Sequence, residues 1–243
     1  MNPLIPVTLG AGALLFARRA RARSDGGSST GKRAYERYRA ILDSVSSPIP
    51  PPVMALRIAR ESAGNPRAYI GGRVAGGGEA GLTQVYVPYR AERSGARGAD
   101  ANPLDPRGAV WASQWVADAT LRRLERELPA WGKDVPARSD VRAWIVLLEA
   151  EHSVGYGGIK RIMTRWRTPS VLEALRREGE QPHGVGRMSP DLVGKRVRRL
   201  LSLPDAAAEI APLPPRIEPL PPRPADVPHF NLSAMQAVDR RFA

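Results

Sequence analysis

The chain has 243 residues, 42% of them apolar types, and carries 37 Lys plus Arg against 24 Asp plus Glu, a net charge of +13. That length fits one domain with tails or two small domains, and the apolar share is enough for a packed core. The lack of cysteine excludes disulfides and thiolate metal sites, three widely spaced histidines argue against a zinc enzyme, and the charge favours polyanions such as nucleic acid, anionic lipid or acidic wall polymer.

Residues 3–16, PLIPVTLGAGALLF, are apolar and uncharged, and ARRARAR follows at once. As a helix this run rises about 21 Å, short of a hydrocarbon core of roughly 30 Å unless flanking arginines snorkel. A secretory signal carries its positive charges before the apolar run, whereas here they come after it. A short membrane anchor, a segment buried against a partner protein and a weak helix without a special role all fit. The anchor is favoured because the basic run suits anionic headgroups.

SDGGSSTG at 24–31 reads as a flexible linker. From residue 32 to 46, Tyr35, Tyr38, Ile41 and Leu42 form a helical stripe that SPIPPP then breaks. A second helix starts on those prolines. Within it Met54, Ile58 and Glu61 share one face, and Gly64 and Pro66 end it just beyond the glutamate. A carboxylate at the end of an apolar stripe is either paired or raised in pKa by desolvation; the blander reading is a helix-end glutamate that points to solvent or pairs with Arg57 or Arg60. YIGGRVAGGGEAG holds too many glycines for a helix interior and reads as a loop or small hairpin. Its glycine cluster lacks the lysine and hydroxyl of a phosphate loop. Glu79 is either a second carboxylate or, by the blander reading, a solvent-exposed loop residue.

Further on, Ala117, Leu121, Leu124 and Leu128 repeat at helical spacing. So do Val141, Trp144, Ile145 and Leu148. Val193, Val197, Leu200 and Leu201 do the same after Ser189 and Pro190, a cap and first-turn pair. Trp111 and Trp115 share a helix face and read as packed. Residues 204–228 are dominated by proline, which predicts extended polyproline acting as spacer or docking strap and excludes a helix. HFNLSAMQAVDRRFA follows, as a partner-binding amphipathic helix or a frayed tail. The expected organisation is therefore 1–23 apolar segment plus basic run, 24–31 linker, 32–203 folded domain and 204–243 proline-rich tail. The domain is mainly α, with a small loop or hairpin region and extended terminal segments.

Three blocks in order, RESAGNP, GEAGLTQ and AEHSVGYG, resemble the transglycosylase SLT family of lysozyme-like lytic transglycosylases. Glu61, Ser62, Asn65 and Pro66 match the family's E-S-x-x-N-P. Gly78, Gly81, Leu82 and Gln84 match G-A-x-G-L-M-Q, with Glu79 and Thr83 differing. Gly155 and Gly157 match A-Y-N-A-G-x-G, with His152 at the tyrosine and Ser153 at the asparagine. NPLDPRGAVWASQW looks like the D-P-x-x-N-I-x-x-G segment, and SPDLVGKRV like the closing Y-V-x-K-V helix, with Leu192 at the tyrosine.

The resemblance implies a lysozyme-like, goose-type helical domain without metal or cofactor. It implies cleavage of the β-1,4 bond between N-acetylmuramic acid and N-acetylglucosamine in peptidoglycan, giving a 1,6-anhydro sugar. Glu61 would be the sole acid and then base, since the substrate's own hydroxyl replaces water. Ser62 would orient the helix end or contact sugar, Gly81 would let the glycan approach, and Gln84 would line the cleft. His152 and Ser153 would face the substrate in altered form, and Tyr156 would take over part of the tyrosine's role by stacking on sugar. A neutral His152 can replace the tyrosine hydroxyl, whereas a protonated one would weaken Glu61 as an acid.

The expected partner is peptidoglycan glycan strands. Residues 1–23 and 204–243 would tether the domain to a virion membrane or capsid proteins, as in a phage particle. The alternatives are a structural or glycan-binding virion protein on a weakened scaffold, and a bacterial transglycosylase of the periplasm or inner membrane. Specific nucleic-acid binding ranks last, for want of a recognisable motif.

Overall fold

The computed structural model describes residues 28–70, 77–88 and 99–230. The apolar segment 3–16, its basic run, most of the glycine cluster and the last residues, 231–243, lie outside the described residues. Among the described residues no helix is long and apolar enough to cross a membrane. The described chain is mainly α, with helices α1 (Ser28–Ser44), α2 (Pro51–Ser62), α3 (Pro106–Glu127), α4 (Val141–Arg165), α5 (Val171–Glu180) and α6 (Pro190–Ala208). Three short strands, β1 (Tyr69–Ile70), β2 (Gly77–Ala80) and β3 (Val85–Pro88), stand between α2 and α3.

Helix α1 begins at Ser28, inside the stretch whose composition reads as a linker. The reason is tertiary. A side chain at Gly31 would fall 2.4 Å from Leu56 Cδ2 and 2.9 Å from Ile210 Cδ1, so those side chains would have to shift for α1 to sit as close to α2. Tyr38 and Leu42 point into the core, as their spacing predicts. Between α1 and α2, the buried Gln114 side chain holds the proline-rich connection. Its Oε1 accepts from Ile49 N at 2.8 Å, and its Nε2 donates to the carbonyls of Val45 at 2.9 Å and Ile49 at 2.7 Å.

On α2, Val53, Met54 and Ile58 are fully buried. Each such side chain stabilises the fold by about 1.5–3 kcal/mol. Helix α4 runs through the core with Trp144, Ile145 and Leu147 buried, and packs against α3, α5 and α6. Side-chain caps fix the starts of α3 (Asp105 to Arg107 N and Gly108 N), α4 (Asp140 to Ala143 N) and α6 (Ser189 to Leu192 N).

The glycine-rich stretch forms an antiparallel sheet in the order β1-β2-β3, pairing Tyr69 with Ala80 and Glu79 with Tyr86. Ala80, Val85 and Val87 face the core while Glu79 faces solvent, the alternation expected of a half-buried sheet. The turn from β2 to β3 needs two left-handed residues, Gly81 (φ 75) and Gln84 (φ 49).

Helix α6 continues to Ala208 with Pro204 inside it, against the expectation that helix is excluded from residue 204 onward. Proline forfeits one backbone bond, but Leu203, Pro204 and Ala207 are all buried, and that packing holds the last turn. Beyond it the proline-rich chain lies back on the domain. Ile217 and Val227 are each 1% exposed. Ile217 N donates to Arg138 O at 2.8 Å, Leu220 N to Asp118 Oδ1 at 3.0 Å, and Asn102 N to Pro228 O at 2.9 Å. An Arg107–Asp226 ion pair adds a further tie.

Candidate active site

Helix α2 stops because Ala63 (φ 52) and Gly64 (φ 76) turn left-handed. The buried Tyr38 hydroxyl donates to Gly64 O at 2.8 Å and holds that turn against α1. Asn65 Oδ1 accepts from Arg67 N at 3.0 Å, closing the next bend. Ser62 Oγ donates back to Ile58 O at 3.1 Å, so this hydroxyl is engaged with its own helix. Glu61 is thereby left on the last turn of α2 with its side chain 15% exposed.

Arg57, Glu149, Arg60 and His152 form a chain of contacts leading to it between α2 and α4. Arg57, on the buried stripe of α2, donates from Nε at 2.9 Å and Nη2 at 2.5 Å to Oε1 of Glu149, and from Nη1 at 2.8 Å to Ser113 Oγ. Glu149 Oε2 accepts from Arg60 Nη2 at 3.1 Å. Arg60 Nε donates in turn to Glu61 Oε1 at 2.7 Å. His152, one turn along α4 from Glu149, brings Nε2 to 3.5 Å from the same Oε1. Both neighbours therefore sit on Oε1, and Glu61 Oε2 has no hydrogen-bond partner among the described residues.

These contacts decide the charge of both carboxyls. Burial by itself would raise Glu149, but the guanidinium of Arg57, then that of Arg60, outweigh it and pull the group down to about 2. Burial would likewise raise Glu61. The His152 contact and the Arg60 guanidinium outweigh it and hold Glu61 well below the usual carboxylate range. These contacts hold Glu61 as a carboxylate, the state of a base rather than of an acid.

Beside this chain lies a cleft of about 150 Å³ between α3, α4 and the start of β3. Gln84, Val85, Ser113, His152 and Gly155 are among its walls; Glu61 borders it through His152 rather than lining it. The Gln84 amide is fixed. Its Nε2 donates to Ala68 O at 3.0 Å and Gly81 O at 2.8 Å, which leaves its buried Oε1 without a partner. At Gly81 a side chain would stand 1.7 Å from Pro103 O. The close approach that demands glycine there is internal, from the Pro103 backbone, and not an approach by a glycan. Thr83 is also internal, its hydroxyl donating to Ala109 O at 3.1 Å.

The third block sits within α4, which bends where Gly155 takes φ 74 and ψ 165. The bend separates His152, facing Glu61, from Tyr156, whose hydroxyl donates to Glu127 Oε2 at 2.6 Å. The Tyr156 ring packs against Trp131, with centroids 5.9 Å apart, and under Arg123 at 4.3 Å. Its polar end is thus spent on α3 and not on Glu61. Ser153 is half-buried and its carbonyl accepts from Arg196 of α6. Glu79 is exposed on β2.

Glu149 and Ser113 are absent from the sequence reading, and Arg57 and Arg60 appear there only as alternative partners of Glu61. Glu151 is absent too; it lines the cleft and pairs with Arg123 at 3.2 Å. One pattern could have found the inner pair, since Arg57 and Glu149 each interrupt an apolar stripe, the same pattern that singled out Glu61. The tryptophans differ from expectation. Trp111 is buried, but Trp115 is 37% exposed over a second hollow of about 540 Å³ walled by Leu220 to Arg223.

No protein-family model matches the chain, and neither a curated protein nor a solved structure matches it.

Proposed function

We propose that this chain is a peptidoglycan lytic transglycosylase on a lysozyme-like, goose-type helical domain, with Glu61 as acid and then base. What supports the reading is convergence. Three blocks distant in sequence, at the end of α2, the β2–β3 turn and the α4 bend, bring Gln84 and His152 to one cleft and Glu61 to its border, and Glu61 Oε2 has no hydrogen-bond partner among the described residues. In the first step the Glu61 carboxylic acid gives its proton to the glycosidic oxygen as the C1–O bond breaks. The acetamido group of the sugar steadies the oxocarbenium-like centre. In the second step the Glu61 carboxylate takes the proton of the C6 hydroxyl as that oxygen bonds to C1. No water is consumed, and a single carboxyl serves both steps.

The first step needs Glu61 protonated, and Arg60 and His152 oppose that. Cleavage is therefore expected to rise toward acidic pH. The same contacts favour a second reading, a glycan-binding virion protein in which the chemistry is weakened. Incubation with purified sacculi and mass spectrometry of the products separates the two. Anhydro-muropeptides that vanish in Glu61→Gln support the enzyme; binding without any release at pH 4–8 supports the second reading. Release unchanged in Glu61→Gln refutes the assignment of Glu61.

For its setting, we propose a phage particle in which residues 1–23 and 204–243 tether the domain to a virion membrane or capsid proteins for local wall opening. The alternative is a bacterial envelope enzyme of the periplasm or inner membrane. Proteomics of purified virions against periplasmic fractions decides between them.

A further inference from the structure

The Arg60 guanidinium is a fork held between two carboxylates of different standing. Its Nη2 reaches Glu149 Oε2 at 3.1 Å and its Nε reaches Glu61 Oε1 at 2.7 Å. Glu149 is 1% exposed and is anchored from its other oxygen by Arg57, so it is the fixed post. Glu61 stands on a helix end with no partner for its second oxygen among the described residues, so it is the movable one. Two guanidinium groups, of Arg57 and Arg60, balance two carboxylates, of Glu149 and Glu61, while His152 of α4 touches Glu61 from the cleft side. The remaining charged pair at the cleft, Glu151 with Arg123, is closed on itself at 3.2 Å.

Resting on the reading of Glu61 as acid and base, we propose that Arg60 is a positioning residue that pins Glu61 by Oε1 before a glycan arrives and releases it to the glycan by withdrawing onto Glu149. Without Glu149, a guanidinium leaving Glu61 would be stranded in a partly buried place, which is costly. With it, Arg60 keeps one charge-assisted hydrogen bond throughout. A sugar hydroxyl or acetamide oxygen that accepts from Arg60 Nε takes over the bond that Glu61 gives up. Glu61 then gains a proton where it had a cation. Glycan binding and proton uptake are thereby coupled, and by reciprocity each favours the other. The proton has an open position on Oε2, and the arginine sets when that position fills.

The test uses the full chain with carbon-13-labelled glutamate, the Glu61 carboxyl signal being identified by its loss in Glu61→Gln. In Arg60→Met the Glu61 titration midpoint should rise by about one pH unit or more, a tenfold gain in proton affinity. The acid limb of anhydro-muropeptide release from sacculi should move the same way. Arg60→Lys keeps the charge but not the fork, and its midpoint should fall between the two. A midpoint in Arg60→Met within about 0.3 unit of wild type overturns the proposal and leaves Arg60 a purely structural residue. Should Arg60→Met fail to fold, as far-UV circular dichroism would show, Arg60→Gln is read in the same way. The titration needs no turnover. If the midpoint rises but wild type releases nothing at any pH, the cleavage reading fails and the Arg60 lock stands.

Discussion

Replacing Glu149 by glutamine would remove one charge from the core at nearly constant volume. Arg57 is 4% exposed on its side chain and would be left with Ser113 Oγ and a neutral amide oxygen. Arg60 would keep only Glu61. Breaking a buried pair by removing one partner costs about 3–5 kcal/mol. The carboxyl's own proton affinity agrees in direction, since the Arg57 and Arg60 guanidiniums outweigh burial and pull it down to about 2. For a chain of this size about 3 kcal/mol lowers the melting temperature by about 6–12 °C.

The sign of the pH dependence follows. A depressed carboxyl stabilises fully above its unfolded value and loses that contribution as pH falls toward the folded value. The difference between wild type and Glu149→Gln should therefore be full at pH 7, begin to shrink below pH 4.5 and approach its minimum near pH 2. Paired urea titrations at pH 7, 5 and 3.5 measure it. A difference under about 1 kcal/mol at pH 7, or one that does not change between pH 7 and 3.5, would refute the reasoning, because the ion pair would then not set the energy of this core.

Other outcomes can be stated briefly. Gly155→Ala should lower stability by about 1–3 kcal/mol, because φ 74 with ψ 165 is a region that side-chain-bearing residues avoid, even though the space beside it is open. Gly157→Ala, two residues on in the same helix and equally open, should raise stability by about 0.4–1 kcal/mol; thermal melts of the two variants should move in opposite directions. Gly81→Ala should be the most damaging of the three, since backbone at 1.7 Å cannot yield as a side chain can; a melt indistinguishable from wild type would contradict the turn as described. Deleting residues 209–243 uncovers the seats of Ile217 and Val227, and should cost about 3–6 kcal/mol in a denaturant titration.

The stripes of α3, α4 and α6 and the Ser189 cap were legible because helix periodicity and capping are local. So was the fate of Tyr38 and Leu42. The start of α1 was not, because SSTG has linker composition and its helix is fixed by Gly31 meeting Leu56 and Ile210 across the fold. The arginine partner of Glu61 was legible as a choice between Arg57 and Arg60 on its own helix, and His152 as its neighbour through the resemblance. The rest of the charge network joins Arg57 to a carboxylate 92 residues away, and no local period connects them. Tyr156 and Trp115 show the same limit in reverse. The resemblance suggested sugar stacking for the first, and a helix face shared with Trp111 suggested packing for the second. The bend at Gly155 sends the tyrosine to Glu127, and α3 exposes the tryptophan beside the strap.

The junction at Gly31 also determines how the domain answers to a pull. Whatever grips the chain before Ser28 transmits its load into the first turn of α1, where Leu56 of α2 and Ile210 at the root of the strap meet. Load entering there meets the interface of α1 with α2, the most extensive helix pair among the described residues. It then arrives at Gly64, which Tyr38 ties to α1, one turn from Glu61. Tension on the leading segment would thus reach the turn that sets the posture of Glu61.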